Sequence, residues 1–153
     1  YIKVKGKWVY LYRAIDRDGN LVDSMLSKTR DMSAAKGFFR GTMLVTEVKP
    51  DRVTTDKHSS YPRAISSTLG DKVTHRTSQY LGDLTEQSHR PIKQRYYPMR
   101  GFGNFESAAI FCRSFEEMKN FFRIKNKRKT TASQRRNLRK IKTHSFNKII
   151  QEI

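Results

Sequence analysis

Residues 8–15 read Trp-Val-Tyr-Leu-Tyr-Arg-Ala-Ile, a run with aromatic or aliphatic side chains on both alternating faces. A strand that is apolar on both faces lies inside a sheet that is covered on both sides. The Asp-Gly-Asn of residues 18–20 predicts a hairpin turn, and residues 21–26 predict the returning strand. With residues 1–4 before a turn at 5–7, the chain is predicted to begin with an antiparallel meander.

Helices alternate with short strands in the middle of the chain. A helix is predicted over residues 31–43, with Asp31 as its N-cap and one apolar stripe. Residues 52–56 predict a strand that ends in an acid. Pro62 suits the first turn of the next helix, whose apolar face carries Tyr61, Ala64, Ile65 and Leu69.

The last third of the core is predicted to be helical after a short strand at residues 73–75. A helix is expected from about Leu84, and it either kinks at Pro91 or begins near it, because proline inside a helix costs about 3 kcal/mol. After a loop at 101–105, another helix is predicted with an apolar side made of Ala108, Phe111, Cys112, Phe115, Met118 and Phe122.

This order of elements predicts an α/β fold, namely a mixed sheet in which an antiparallel meander is followed by βα units, with helices on both faces. The ribonuclease-H-like fold has that order. We expect residues 1–123 to form this core and residues 124–153 to form a basic C-terminal tail or helix, because residues 125–142 are crowded with Lys, Arg and small polar residues.

Charge is the dominant compositional signal. The chain has 32 Lys and Arg against 14 Asp and Glu, a net charge of +18. Such a chain favours a polyanionic partner, and nucleic acid is the default because each phosphate contact releases counterions. A basic RNA-binding protein of the ribosomal kind fits the charge equally well. The one cysteine, Cys112, excludes a disulfide within the chain and is predicted to be a core residue, and no run approaches membrane-spanning length.

Two scarce carboxylates are candidates for chemistry. Asp56 ends a predicted strand, where an open α/β sheet presents side chains to a ligand crevice, although an ordinary turn-forming Asp is the commoner explanation. Glu86 falls near the start of a predicted helix, where an acid also simply complements the helix dipole. His89, Arg90 and Lys93 follow Glu86 on the same helical face.

An acid beside several bases suits a site that holds Mg²⁺ together with phosphate, since hard cations bind carboxylate oxygen and the bases bind the phosphodiester. A solvated charged face with ordinary i,i+4 pairs explains the pattern about as well. Other chemistry lacks support: the four histidines show no tight metal spacing, and no phosphate-cradling glycine loop is present.

Four blocks in the correct order resemble the DDE transposases of the insertion-sequence-six family. They are KGKWVYLYRAID at residues 5–16, TTDK at 54–57 with SYP at 60–62, LTEQSHRPIK at 84–93 and PMRGFGNFESA at 98–108. The resemblance covers roughly residues 1–123, and several ordered blocks are more specific than any one motif.

The resemblance implies a ribonuclease-H-like catalytic core that cleaves and joins DNA at insertion-sequence ends by phosphoryl transfer with Mg²⁺ or Mn²⁺. Asp56 matches the second acid of the family's triad and Glu86 the third, so both are expected to be catalytic metal ligands. His89, Arg90, Lys93 and Arg95 are expected to contact the DNA backbone.

In the family, the first acid lies on the first strand just before the segment that matches Tyr1, and Asp16 is not its equivalent. We therefore expect a truncated copy that is inactive by itself. DNA is the expected partner, with a homodimer or higher oligomer on DNA, no membrane, and a cytoplasmic, nucleoid-associated location. The alternatives are a non-catalytic basic DNA-binding remnant and, more weakly, an RNA-binding structural protein.

Overall fold

The computed structural model describes residues 1–78, 81–124 and 130–151, and over residues 81–88 it describes only the helical backbone. Three antiparallel strands form its first sheet. These strands are β1 (Ile2–Val4), β2 (Lys7–Ile15) and β3 (Leu21–Ser27), in the order β1-β2-β3. The predicted meander is therefore confirmed. Its central strand pairs with both neighbours, as the two-faced apolar pattern indicated.

The hairpin between β2 and β3 is closed by a side chain as well as by backbone. Asp16 accepts hydrogen bonds from the backbone N–H and the side-chain amide of Asn20, at 2.7 and 2.6 Å. Gly19 adopts φ +75°, a conformation that favours glycine. Asp16 is thus a turn-forming residue, which agrees with its exclusion as a catalytic acid.

Alternate side chains of β2 enter two separate hydrophobic clusters, one on each face of the sheet. Val9 and Leu11 belong to one cluster, whereas Tyr10, Tyr12 and Ala14 belong to the other. This division follows from the period of two along a strand. The ends of the strand are more exposed than the pattern suggested, as Trp8 and Ile15 are both open to solvent.

Helices α1 (Met32–Thr46) and α2 (Ser60–Leu69) cover the face that carries Tyr12. Asp31 is the N-cap of α1 and accepts a hydrogen bond from the N–H of Ala34 at 2.8 Å, as predicted. The apolar stripes of the two helices supply the core of this face, made of Ala35, Phe38, Phe39, Ala64, Ile65 and Leu69.

Helices α3 (Leu81–Tyr96) and α4 (Phe105–Phe122) cover the opposite face. The α3 helix begins earlier than predicted and runs through Pro91, and it packs Ile92 and Tyr96 into the core. The buried line of α4 is Ala108, Cys112 and Glu116, at i, i+4 and i+8. Met118 comes two positions after Glu116 and therefore points away from the buried side of the helix, where it is 49% exposed. The prediction that Met118 belongs to the apolar side is wrong.

The second sheet has two parallel strands, β4 (Arg52–Thr55) and β5 (Thr74–Thr77). The described residues therefore form an α/β structure with two small sheets, and the single mixed sheet is not confirmed. The edge of β1 that does not pair with β2 contacts a loop instead of β4. There the N–H of Phe102 donates to the carbonyl oxygen of Lys3, and the carbonyl oxygen of Phe102 accepts from the N–H of Lys5, both at 2.9 Å.

A fifth helix, α5 (Ala132–Gln151), contains most of the basic C-terminal segment. It packs against the end of α4 through Phe146, whose ring lies 5.3 Å from that of Phe122 and 6.2 Å from that of Phe121. Lys142 Nζ donates to the backbone carbonyls of Phe121 and Arg123. A cation is well placed there because the last carbonyls of a helix lack partners within it.

Candidate active site at the end of strand β4

Asp56 follows the last residue of β4, at the carboxyl end of a parallel pair of strands. Thr55 Oγ1 donates to the carbonyl oxygen of Asp56 at 2.8 Å and also lies 2.8 Å from His75 Nε2 on the neighbouring strand. These contacts fix the backbone where β4 ends. Side chains at this end of parallel strands face the usual ligand crevice of α/β sheets.

Both carboxylate oxygens of Asp56 have partners although the side chain is 59% exposed. Oδ1 accepts the backbone N–H of His58 at 3.1 Å, and Oδ2 accepts Arg30 Nη2 at 2.5 Å. The first contact forms a local turn that aims the carboxylate. The second joins β4 to the residue that precedes the N-cap of α1.

Arg30 is held by more than one group. Its Nη1 donates to the hydroxyl of Tyr1 at 3.3 Å, and Tyr61 on α2 also forms a hydrogen bond with it. The side chain is only 26% exposed. Burial by itself lowers the pKa of Arg30, but Asp56 and Tyr61 more than offset this effect and raise the pKa above its ordinary value. The guanidinium is therefore a fixed positive charge beside the candidate metal ligand.

The first turn of α2 flanks the same site. His58 Nδ1 lies 2.8 Å from Ser60 Oγ, and its ring meets that of Tyr61 edge-on with centroids 5.8 Å apart. Burial raises the pKa of Tyr61, with a further contribution from Asp56. Tyr61 is thus a neutral hydrogen-bonding group between the core and the carboxylate.

Glu86 belongs to α3, but its side chain lies outside the described residues. Its approach to Asp56 stays a prediction. The start of α3 comes four residues after the end of β5, whose parallel partner β4 ends at Asp56. Among the described side chains, no three of His, Cys, Asp and Glu lie close enough together to hold a metal ion.

The four basic residues predicted to bind DNA differ in exposure. Arg90 and Arg95 are exposed, and Lys93 is half-buried. His89 is also half-buried, and its Nε2 is buried without a hydrogen-bond partner in the described part of the chain. Burial, with the charges of Arg13, Lys93 and Lys119, lowers the pKa of His89 to about 4. This imidazole is therefore uncharged at neutral pH, whereas its neighbour Arg90 is a solvent-facing cation.

A buried ion pair lies between β2 and α4, and sequence patterns did not indicate it. Arg13 Nη2 donates to Glu116 Oε2 at 2.6 Å, with side-chain exposures of 4% and 1%, and Lys119 Nζ lies 3.9 Å from the same oxygen. The sequence did contain one signal that Glu116 is buried: it follows Ala108 and Cys112 at i+8 and i+4, on the same face of α4. Nearby Cys112 is a core residue as predicted, and burial raises its pKa to about 12.

Comparison with known proteins identifies the family. A family model described as a DDE domain matches residues 1–125. The transposase for insertion sequence-like element IS431mec and the transposase for insertion sequence element IS257 in transposon Tn4003, both from Staphylococcus aureus, are 42% identical to this chain over 99 residues. Each alignment covers 62% of this chain and 44% of the relative.

An uncharacterized protein of Yersinia pseudotuberculosis, pYV0051, is 43% identical over 68 residues, which are 43% of this chain and 64% of that protein. The chain spans less than half the length of the staphylococcal relatives it matches. No solved structure matches it significantly. Within the described helices, none combines the length and apolar character needed to cross a bilayer. Because the DDE domain match extends over most of the chain and the transposase relatives agree with it, the chain belongs to the DDE-type transposases of the insertion-sequence-six family.

Proposed function

We propose that this chain is the catalytic core of an insertion-sequence transposase, which cleaves DNA at the ends of the element and joins it to a target by metal-dependent phosphoryl transfer. The observation that carries the proposal is the exposed, oriented carboxylate of Asp56 at the carboxyl end of a parallel strand. A ribonuclease-H-like arrangement, with residues 1–123 as the core, is part of the same proposal.

The ligands of the divalent ion would be Asp56 and Glu86, with a third acid expected from the family's segment upstream of Tyr1. Carboxylate oxygens suit Mg²⁺ or Mn²⁺, and the exposure of Asp56 leaves room for an ion and its waters. The ion would activate the attacking oxygen and stabilise the leaving one. The chain's own residues orient the ligands: the amide of His58 and the hydroxyl of Thr55 fix the position of Asp56.

DNA would lie along the exposed side of α3. Arg90 and Arg95 can meet phosphates without moving core residues, and Lys93 can reach outward by its long side chain. His89 can contribute only as a neutral hydrogen-bonding group, since its pKa is lowered to about 4. Such backbone contacts give affinity and position without sequence choice.

Helix α5 would extend the same electrostatic surface. It presents basic side chains on several sides, and the exposed ones are Arg136, Arg139, Lys140 and Lys148. With a net charge of +18, the chain would attract DNA over long distances at low salt. We propose that it acts in the bacterial cytoplasm, at the nucleoid, as a homodimer or higher oligomer on DNA.

A second candidate is a DNA-binding remnant without catalysis. The pairing of both Asp56 oxygens with protein groups favours it, because a metal must displace Arg30 or share an oxygen with it. The two candidates differ in their response to metal. A transposase core binds DNA more tightly when Mg²⁺ neutralises the acids, whereas a remnant is indifferent to Mg²⁺.

The experiment compares the protein with Asp56→Asn and Glu86→Gln variants, each supplied with the family's upstream segment. Cleavage of insertion-sequence-end DNA is measured with and without Mg²⁺. We expect Mg²⁺-dependent cleavage that either substitution abolishes. Glu106→Gln, an exposed acid at the start of α4, is the matched control and should cleave normally. Inert wild-type protein, or undiminished cleavage by Asp56→Asn, would contradict the proposal.

A further inference from the structure

The interaction between Arg30 and Asp56 indicates a role other than stabilising the fold. The Arg30 guanidinium donates to Asp56 Oδ2 at 2.5 Å, yet 59% of the Asp56 side chain is exposed. The carboxylate of this pair is open to solvent, and an ion pair screened by water in this way contributes little to stability, about 0–1 kcal/mol. Its position beside a candidate metal ligand therefore calls for another explanation.

We propose that Arg30 is a built-in counter-ion of the metal site, which pairs with Asp56 when metal is absent and transfers to a DNA phosphate when metal binds. This inference rests on the proposed function, because it requires Asp56 to be a metal ligand. It adds a positioning residue that links occupation of the metal site to the presence of DNA.

The contacts of Arg30 support such a transfer. The hydroxyls of Tyr1 and Tyr61 hold the guanidinium independently of Asp56, so it stays near the site when the carboxylate is taken by a metal ion. A guanidinium has five N–H donors in a planar fork, which matches phosphate oxygens as well as carboxylate oxygens. Arg30 can therefore exchange one anionic partner for another with little movement.

Arg30 and a divalent cation compete for Asp56, and DNA reduces this competition by binding Arg30. Without DNA, a divalent cation must approach Asp56 against the charge of Arg30, which lowers metal affinity. A phosphate that engages Arg30 weakens that repulsion and brings its own negative charge. By linkage, DNA then raises metal affinity by the same factor as metal raises DNA affinity.

The test is Mn²⁺ binding measured by electron paramagnetic resonance of the free ion, with and without a duplex oligonucleotide, for wild type and variants that each carry the family's upstream segment. Without DNA, Arg30→Gln should bind Mn²⁺ about 30-fold more tightly than wild type, the effect of removing one unit charge about 4 Å from a doubly charged ion in water. With DNA, the gain in Mn²⁺ affinity should be large in wild type and small in Arg30→Gln. Arg40→Gln removes the same charge from the exposed side of α1 and should behave as wild type.

Three further results separate the possible failures. Asp56→Asn should lose Mn²⁺ binding; if it binds as wild type does, or if no variant binds, the metal assignment fails and the inference with it. If Asp56→Asn loses binding but Arg30→Gln binds no more tightly than wild type, only the counter-ion inference is overturned. If Arg30→Gln does not fold, Arg30→Lys replaces it in the test. Lysine keeps the positive charge but lacks the planar guanidinium, so the coupling between DNA binding and Mn²⁺ binding should weaken. Unchanged coupling would overturn the inference.

Discussion

Arg13 and Glu116, 103 residues apart in the chain, form an ion pair of 2.6 Å that is almost fully buried between the sheet and α4. Removing one partner of such a pair leaves an uncompensated buried charge, which costs about 3–5 kcal/mol. We predict that Glu116→Ala lowers the free energy of unfolding by that amount in urea denaturation. Glu117→Ala breaks an exposed pair with Arg113 and should cost less than about 1 kcal/mol. Equal effects of the two substitutions would contradict the prediction.

The half-buried imidazole of His89, whose Nε2 is buried, gives a second prediction, on pH. Its pKa is lowered from 6.5 to about 4 in the folded chain, so the unfolded chain binds a proton there first as pH falls. The free energy of unfolding is therefore unaffected by His89 above pH 6.5. Between pH 6.5 and about pH 4, protonation of His89 in the unfolded chain lowers it progressively, by at most about 3 kcal/mol.

Urea denaturation at pH 7 and pH 5 checks this, with His89→Gln as the comparison. The variant should lose less stability between the two pH values than wild type does. An NMR titration should find no protonation of His89 near pH 6.5, and an ordinary pKa there would refute the buried neutral state.

The exposed arginines of α3 give a third prediction, on DNA binding. Arg90→Gln and Arg95→Gln should each weaken binding to any duplex and reduce the slope of log K against log salt by about 0.9, the effect of one lost phosphate contact. His89→Gln should leave the slope unchanged, because the imidazole carries no charge at neutral pH. Fluorescence anisotropy over a range of salt concentrations measures all three slopes, and equal slopes for every variant would exclude α3 as the DNA-facing helix.

The anchoring of α5 gives a fourth prediction. Phe146 packs on Phe121 and Phe122 but is not fully buried, so Phe146→Ala should weaken docking of α5 by about 1–2 kcal/mol, less than for a core phenylalanine. Hydrogen exchange of α5 amides should accelerate, while amides of β2 keep their rate. Ile149→Ala, at an exposed position of the same helix, is the control. Identical exchange in the two variants would contradict the packing role of Phe146.

Local signals in the sequence predicted the local elements well. The N-cap Asp31, the apolar stripe of α2 and the hairpin closed by Asp16 each depend on residues within a few positions of one another. The DDE resemblance, carried by ordered motifs, was confirmed by the family match. Asp56 follows the end of β4, as the strand pattern predicted, and its catalytic role stays a prediction.

Contacts between distant residues could not be predicted in the same way. The partner of Asp56 is Arg30, on the loop before α1, and the partner of Arg13 is on α4. Such pairs depend on how the elements pack, which hydrophobic periodicity does not encode. Likewise, the Phe102 loop takes the edge of β1 by backbone hydrogen bonds, which have no side-chain signature.

Mn²⁺ located by its anomalous scattering in a crystal of the protein would decide whether Asp56 and Glu86 share a divalent ion, as we propose. We expect a peak about 2.0–2.3 Å from a carboxylate oxygen of each residue, with Arg30 moved off Asp56. Side chains of Asp56 and Glu86 on opposite sides of the sheet, or a peak that touches neither, would contradict it.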